Sequence, residues 1–95
     1  MPVDAYRGAG RPEASYVIER LVDAAARDLG VAPDALRRRN FIPPAAMPYR
    51  TATGRTYDSG DFAAHLARAQ TLADWDGFPA RAAAAKRDGR LRGIG

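Results

Sequence analysis

Between Pro12 and Leu29 the apolar residues recur at three- and four-residue steps: Ala14, Val17 and Ile18, Leu21 and Val22, Ala25, then Leu29. This spacing constrains the fold more than any other feature. It lays one apolar stripe along an α-helix and does not alternate across a strand. Both ends of the segment carry matching signals. Pro12 suits the first helical position, where its missing N–H would have had no partner. Glu13 suits the positive end of the helix dipole. Gly30 is free to take the left-handed conformation that closes a helix. Asp23 and Arg27 stand at the i,i+4 spacing of an acid-to-base pair.

A second, shorter helix is predicted over Pro33–Arg39. Asp34 favours its start, Leu36 faces inward, and Arg37, Arg38 and Arg39 fall where cations meet the negative dipole end. The arginine run reads as a solvated helix end, in preference to an anion site. Asn40 is expected to close this helix in a left-handed conformation. Phe41 and Ile42 form an apolar plug, and Pro43-Pro44 stops further helix.

From Met47 the periodicity changes. Strand-type residues Tyr49, Thr51, Thr56 and Tyr57 flank Ala52-Thr53-Gly54, which predicts a small hairpin. Ser59 is placed to cap a third helix near Asp61–Ala73, with Phe62, Leu66, Ala69 and Ala73 as its buried stripe. A fourth helix is expected near Phe78–Arg87, opened by Asp76 or Gly77 and closed by Gly89. Leu91 and Ile94 alternate in the tail like the start of a strand. The fold class is therefore mainly α: about four helices and a small β-hairpin. The organisation is a loop over 1–11, a helical pair over 12–42, a loop with hairpin over 43–60, and helices with the start of a strand over 61–95.

Composition excludes several functions. At 95 residues the chain is one domain at most. It has no cysteine, hence no disulfide, thiolate ligand or cysteine nucleophile, and it suits a reducing compartment. The net charge of +4 comes almost wholly from arginine. Acidic residues are interleaved with the arginines, whereas a phosphate-tracking surface needs clustered cations. No apolar run approaches the roughly 18 residues of a membrane span. The N-terminus carries no basic-then-apolar leader pattern. His65 is the sole histidine, without the partners a metal site requires. Ser15 and Ser59 have no histidine at a useful spacing, and Glu13 and Glu19 do not share a helix face as a carboxylate pair would. Trp75 reads as a core anchor.

One stretch is left over. Gly8-Ala9-Gly10 precedes the first helix with arginines on both sides. It is not a dinucleotide fingerprint, which needs a third glycine after a strand. Two readings stand: a tight turn into the helix, or a loop whose backbone approaches an anionic ligand.

The stretch "AYRGAGRPEASYVIERLVDAAARDLGVAPDALRRRNFI" resembles the large, molybdopterin-binding subunit of the xanthine oxidase/aldehyde oxidase family, most of all its carbon monoxide dehydrogenase-type chains. "RTYDSGDFAAHLARAQTLADWDGFPARAAAAKRDGRLRGIG" resembles the stretch that follows in those proteins. The most specific elements are "YRGAGRPE" and "LRRRNFI". The resemblance implies a fragment of a longer, cytoplasmic subunit, part of a larger α/β molybdenum-binding domain. The implied cofactor is molybdopterin, possibly in its cytosine dinucleotide form. The implied partners are the remainder of the large subunit and iron–sulfur and flavin subunits, with neither membrane nor nucleic acid.

The same resemblance places Tyr6, Arg7, Gly8, Ala9 and Gly10 beside the cofactor and matches Arg7 to the family's active-site arginine. Gly8 stands where carbon monoxide dehydrogenases carry a copper-binding cysteine. Ala9 stands where xanthine oxidases carry a substrate-stacking phenylalanine. No residue here acts as a metal ligand, and the family's catalytic glutamate lies near the far end of the full subunit. The fragment alone is expected to be inactive and to hold no cofactor. The alternative reading is a stand-alone helical module that binds protein or nucleic acid.

Overall fold

The computed structural model describes Asp4 and residues 6–95; Met1, Pro2, Val3 and Ala5, the start of the expected loop, lie outside the described residues. The chain divides into two compact units, Met1–Phe41 and Ile42–Gly95.

The first unit is a helical hairpin of α1 (Arg11–Asp28) and α2 (Pro33–Arg39), packed on one another. Pro12 sits one position further into α1 than expected, which costs nothing because the first four N–H groups of a helix lack partners in any case. Gly30 closes α1 at φ +64°. Its N–H donates to the Arg27 carbonyl at 3.1 Å, and that of Val31 donates to the Ala26 carbonyl at 2.9 Å. These are the two bonds of a Schellman ending. Asn40 departs from expectation. It stays right-handed at φ −101°, and its side-chain amide donates to the Leu36 carbonyl at 2.8 Å. The amide side chain satisfies a terminal carbonyl without a left-handed backbone.

The second unit begins with a 3-10 turn at Pro44–Ala46. A two-stranded antiparallel hairpin follows: β1 (Tyr49–Arg50) and β2 (Thr56–Tyr57), with Tyr49 opposite Tyr57 and Arg50 opposite Thr56. Gly54, at φ +83°, supplies the left-handed step of the turn. Thr51 closes the turn twice. Its N–H donates to the Arg55 carbonyl at 2.8 Å, and its hydroxyl accepts from the Arg55 N–H at 3.0 Å. Tyr57 then meets Phe62 edge-on, with ring centroids 5.8 Å apart, so the hairpin leans on the start of the next helix as a marginal two-stranded sheet must.

Helices α3 (Phe62–Leu72) and α4 (Phe78–Arg87) complete the unit. The cap of α3 is Asp61, not Ser59: its Oδ1 accepts from the Ala64 N–H at 2.9 Å, while Ser59 donates to Asp58 Oδ1. The cap must sit one residue before Phe62 for its oxygen to reach the third helical N–H, and Ser59 is two residues too early. Along α3 Phe62, Leu66 and Gln70 are half-buried, whereas Ala69 and Ala73, expected on the buried stripe, are exposed. Trp75 is half-buried and His65 exposed.

The end of α3 is unusual. Asp74 takes φ +46°, its N–H donating to the Thr71 carbonyl and the Trp75 N–H to that of Gln70. An aspartate here does what Gly30 does for α1. Arg81 holds it: the guanidinium pairs with the Asp74 carboxylate and donates to the Ala73 and Asp74 carbonyls at 2.9 and 2.8 Å. Gly89 closes α4 at φ +70°. The tail beyond it forms no ladder among the described residues. The strand expected at Leu91–Ile94 lacks a neighbour to pair with, and a lone strand leaves its backbone bonds unmade.

Candidate cofactor-binding loop

Tyr6, Arg7, Gly8, Ala9 and Gly10 form two overlapping turns that run directly into α1. The Ala9 N–H donates to the Tyr6 carbonyl at 3.0 Å and the Arg11 N–H to the Gly8 carbonyl at 2.9 Å. The Gly10 carbonyl then accepts from Ala14 at 2.9 Å, which starts the helical ladder. Three consecutive residues have positive φ: Gly8 at 96°, Ala9 at 44° and Gly10 at 87°. Left-handed backbone costs an L-residue roughly 1–2 kcal/mol, so two of the three positions are glycine for a conformational reason.

Gly8 has a second, steric reason. A Cβ there would stand 2.9 Å from Pro12 Cδ and 3.0 Å from Pro12 Cγ. The proline ring that suits the helix start thus crowds any side chain four residues earlier, and the ring or the loop would have to shift to admit one. Around Gly10 nothing lies within 4 Å of where a Cβ would be. That face of the loop is open backbone. All five residues from Tyr6 to Gly10 are exposed.

The sequence-derived residues are therefore brought together on one turn, with the Arg7 side chain and bare glycine backbone on its surface. This donor set fits an anionic group. A guanidinium offers a rigid fork of N–H groups, the Gly10 N–H is used by neither turn, and the absence of a Cβ lets a ligand approach the main chain. Among the described residues no three His, Asp or Glu side chains converge to hold a metal ion.

One residue that orders this unit escaped the sequence reading. Arg37 was expected at a solvated helix end with Arg38 and Arg39. It instead turns back to α1, with Nε donating to Glu19 Oε2 at 2.9 Å and Nη2 to Asp23 Oδ1 at 3.0 Å. Nη1 donates to the Pro33 carbonyl at 3.2 Å. Asp23 is thus engaged across the hairpin, in place of the Arg27 pair its spacing suggested. Partial burial works against the charge on Arg37, but the bonds and charges of Glu19 and Asp23 outweigh it and hold the guanidinium above arginine's ordinary pKa. The signal available in the sequence was the i,i+4 repeat of Glu19 and Asp23, two acids on one face awaiting a cation.

Residues 1–41 match the family described as the molybdopterin cofactor-binding domain, and that match ends where the first structural unit ends. The carbon monoxide dehydrogenase large chain of Hydrogenophaga pseudoflava is 39% identical over 95 residues, which is 96% of this chain and 12% of that one. Two proteins of Paenarthrobacter nicotinovorans are 30% identical across 99% of this chain: the nicotine 6-hydroxylase large subunit and subunit gamma of the 6-hydroxypseudooxynicotine dehydrogenase complex. The chain spans 11% of the first of these and 12% of the second.

Proposed function

Because this chain belongs to the molybdopterin-binding large subunits, we propose that Tyr6–Gly10 is the loop that meets the cofactor in a parent molybdenum hydroxylase. In that setting Tyr6, Arg7, Gly8, Ala9 and Gly10 hold molybdopterin, here taken as its cytosine dinucleotide form, and Arg7 is the catalytic residue among them. When bound, the molybdenum group supplies the oxidation of a carbon centre with water as oxygen source. This chain's own part is positioning. Arg7 directs a fixed positive charge toward the reacting region, and the glycine backbone admits the cofactor at close range. At Gly10 the loop runs directly into α1, which the Arg37 clamp ties to α2.

The observation that carries this reading is the geometry at Gly8. The positive φ and the Pro12 ring make any side chain there strained and crowded, so this loop disfavours the copper-binding cysteine that carbon monoxide dehydrogenases bear at this position. That favours hydroxylation of an organic carbon over oxidation of carbon monoxide, in line with the hydroxylase named among the relatives. The remaining subunit supplies the walls of the site and the glutamate. Iron–sulfur and flavin subunits carry the electrons away, and the complex works in the cytoplasm. The 95-residue chain alone holds no cofactor and oxidises nothing.

Metal and pterin analysis of the purified parent tests the reading, with dye reduction measured on heteroaromatic substrates and on carbon monoxide. Molybdenum with hydroxylation of an organic substrate is the expected result. A parent without molybdenum, or one that turns over carbon monoxide alone, would overturn it.

A further inference from the structure

We propose that the apolar face of α1 made by Ala14, Val17, Ile18, Leu21 and Ala25 is buried against an aliphatic segment of the same large subunit, outside these 95 residues. The proposal rests on the chain being part of a molybdopterin-binding subunit. At about 100° per residue, this face lies roughly 150° around the helix from Glu19, Asp23 and Ala26, the side that α2 occupies. The helical hairpin therefore forms on the acidic flank of α1; of the predicted stripe Val22 is half-buried, whereas Val17, Ile18 and Leu21 stay uncovered. Val17 is 53% exposed, Ile18 57% and Leu21 63%. Among the described residues only Ala26 is buried in the first unit, and only Ala85 in the second. Two alanines do not make a core, and ordering a chain costs about 1–2 kcal/mol per residue that burial must offset. The sector from Leu21 through Ala14 and Ala25 to Ile18 contains no charge, and the one charge between Val17 and Leu21 is Asp28 at the last position of α1; the face suits an aliphatic occupant.

The same facts choose among occupants. The chain spans 12% of the carbon monoxide dehydrogenase large chain it matches, so most of such a subunit is available as covering material. A second copy seated on α1 would leave the second unit, with exposed Leu72 and Leu91, as short of a core as before. More of the same chain can supply both units.

Hydroxyl-radical footprinting of the isolated, monomeric large subunit tests this, with residue-level mass spectrometry. Val17, Ile18 and Leu21 should be oxidised about tenfold more slowly than in the 95-residue chain, since burial removes them from the reagent. Rates in the subunit equal to those of the chain would overturn the proposal. So would sedimentation showing that the 95-residue chain dimerises and protects these three side chains by itself. Leu21→Asp in the parent should abolish soluble subunit while Arg20→Asp, off the face, leaves it intact; equal yields would count against burial. Molybdenum content of the same preparation separates the two readings. A protected face without molybdenum sinks the proposed function alone, and a molybdenum-loaded subunit with an exposed face sinks this inference alone.

Discussion

Arg37 Nη2 stands 3.0 Å from Asp23 Oδ1, fourteen residues back along the chain, and this bond joins the last turn of α2 to the middle of α1. Glu19 shares the same guanidinium but is more exposed than Asp23, at 59% against 35% of the side chain. Solvent therefore screens the Glu19 bond more.

Arg37→Ala should loosen α2 from α1. The expected cost is about 1 kcal/mol after allowing for screening, which amounts to about a fivefold loss of amide protection in α2 by hydrogen exchange. Arg37→Lys should restore part of it, because lysine keeps the charge and loses the fork. Combining Arg37→Ala with Asp23→Ala should cost less than the sum of the single changes. Additive effects would show that the pair is not coupled. Since the folded pKa is raised, this contribution is complete below arginine's ordinary value and is lost only as pH rises through the folded one. It lends no pH dependence near neutrality.

The two loop glycines should differ. Gly8→Ala meets both a left-handed backbone and the Pro12 ring, whereas Gly10→Ala meets only the backbone strain. Gly10→Ala should cost roughly 1–2 kcal/mol and Gly8→Ala more, seen as fraying of the first turn of α1 by NMR amide shifts and exchange. An equal response at both positions would contradict the steric role of Pro12.

Asp74 holds a conformation that glycine prefers, so Asp74→Gly should be close to neutral. It relieves about 1 kcal/mol of backbone strain and gives up an exposed ion pair with Arg81 worth at most about that much. Asp74→Ala keeps the strain and loses the pair, and should shorten α3 at its end by circular dichroism and exchange. If alanine were tolerated as well as glycine, the left-handed geometry would not be limiting there.

Arg7 is read through the parent enzyme. Arg7→Ala should lower turnover per molybdenum by roughly 10²–10³, the usual effect of removing a preorganised donor, and leave the helix content of this chain unchanged. Arg7 precedes α1 and lies off its stripe, so a fall in helicity would assign it a structural role. Unchanged turnover would remove it from the catalytic set.

Periodicity and punctuation read locally, so the elements were legible wherever the signal was local. Arg11–Asp28 was found to within a residue at each end, and Pro33–Arg39 and Phe78–Arg87 at their bounds, because proline starts and glycine ends are properties of single residues. The loop residues were visible as an unexplained glycine pair. Its steric basis was not, since the closeness of Gly8 to Pro12 is a fact of three-dimensional distance. Caps slipped at Ser59, where Asp61 competes within two residues for the same N–H, and at Asn40, where a side-chain bond replaced a backbone one.

The sequence by itself determined that α1 is amphipathic, that four helices and one hairpin form, and that a bare, basic turn precedes the first helix. Only the tertiary structure decided which face of α1 is used. The stripe written into Val17, Ile18 and Leu21 predicts burial, yet within this chain α2 docks on the acidic flank through Arg37 and the stripe stays open. Periodicity says that a face is apolar. What covers that face depends on surfaces far along the chain, and a docked helix of seven residues brings one well-paired guanidinium to α1 and too little apolar area to cover the stripe.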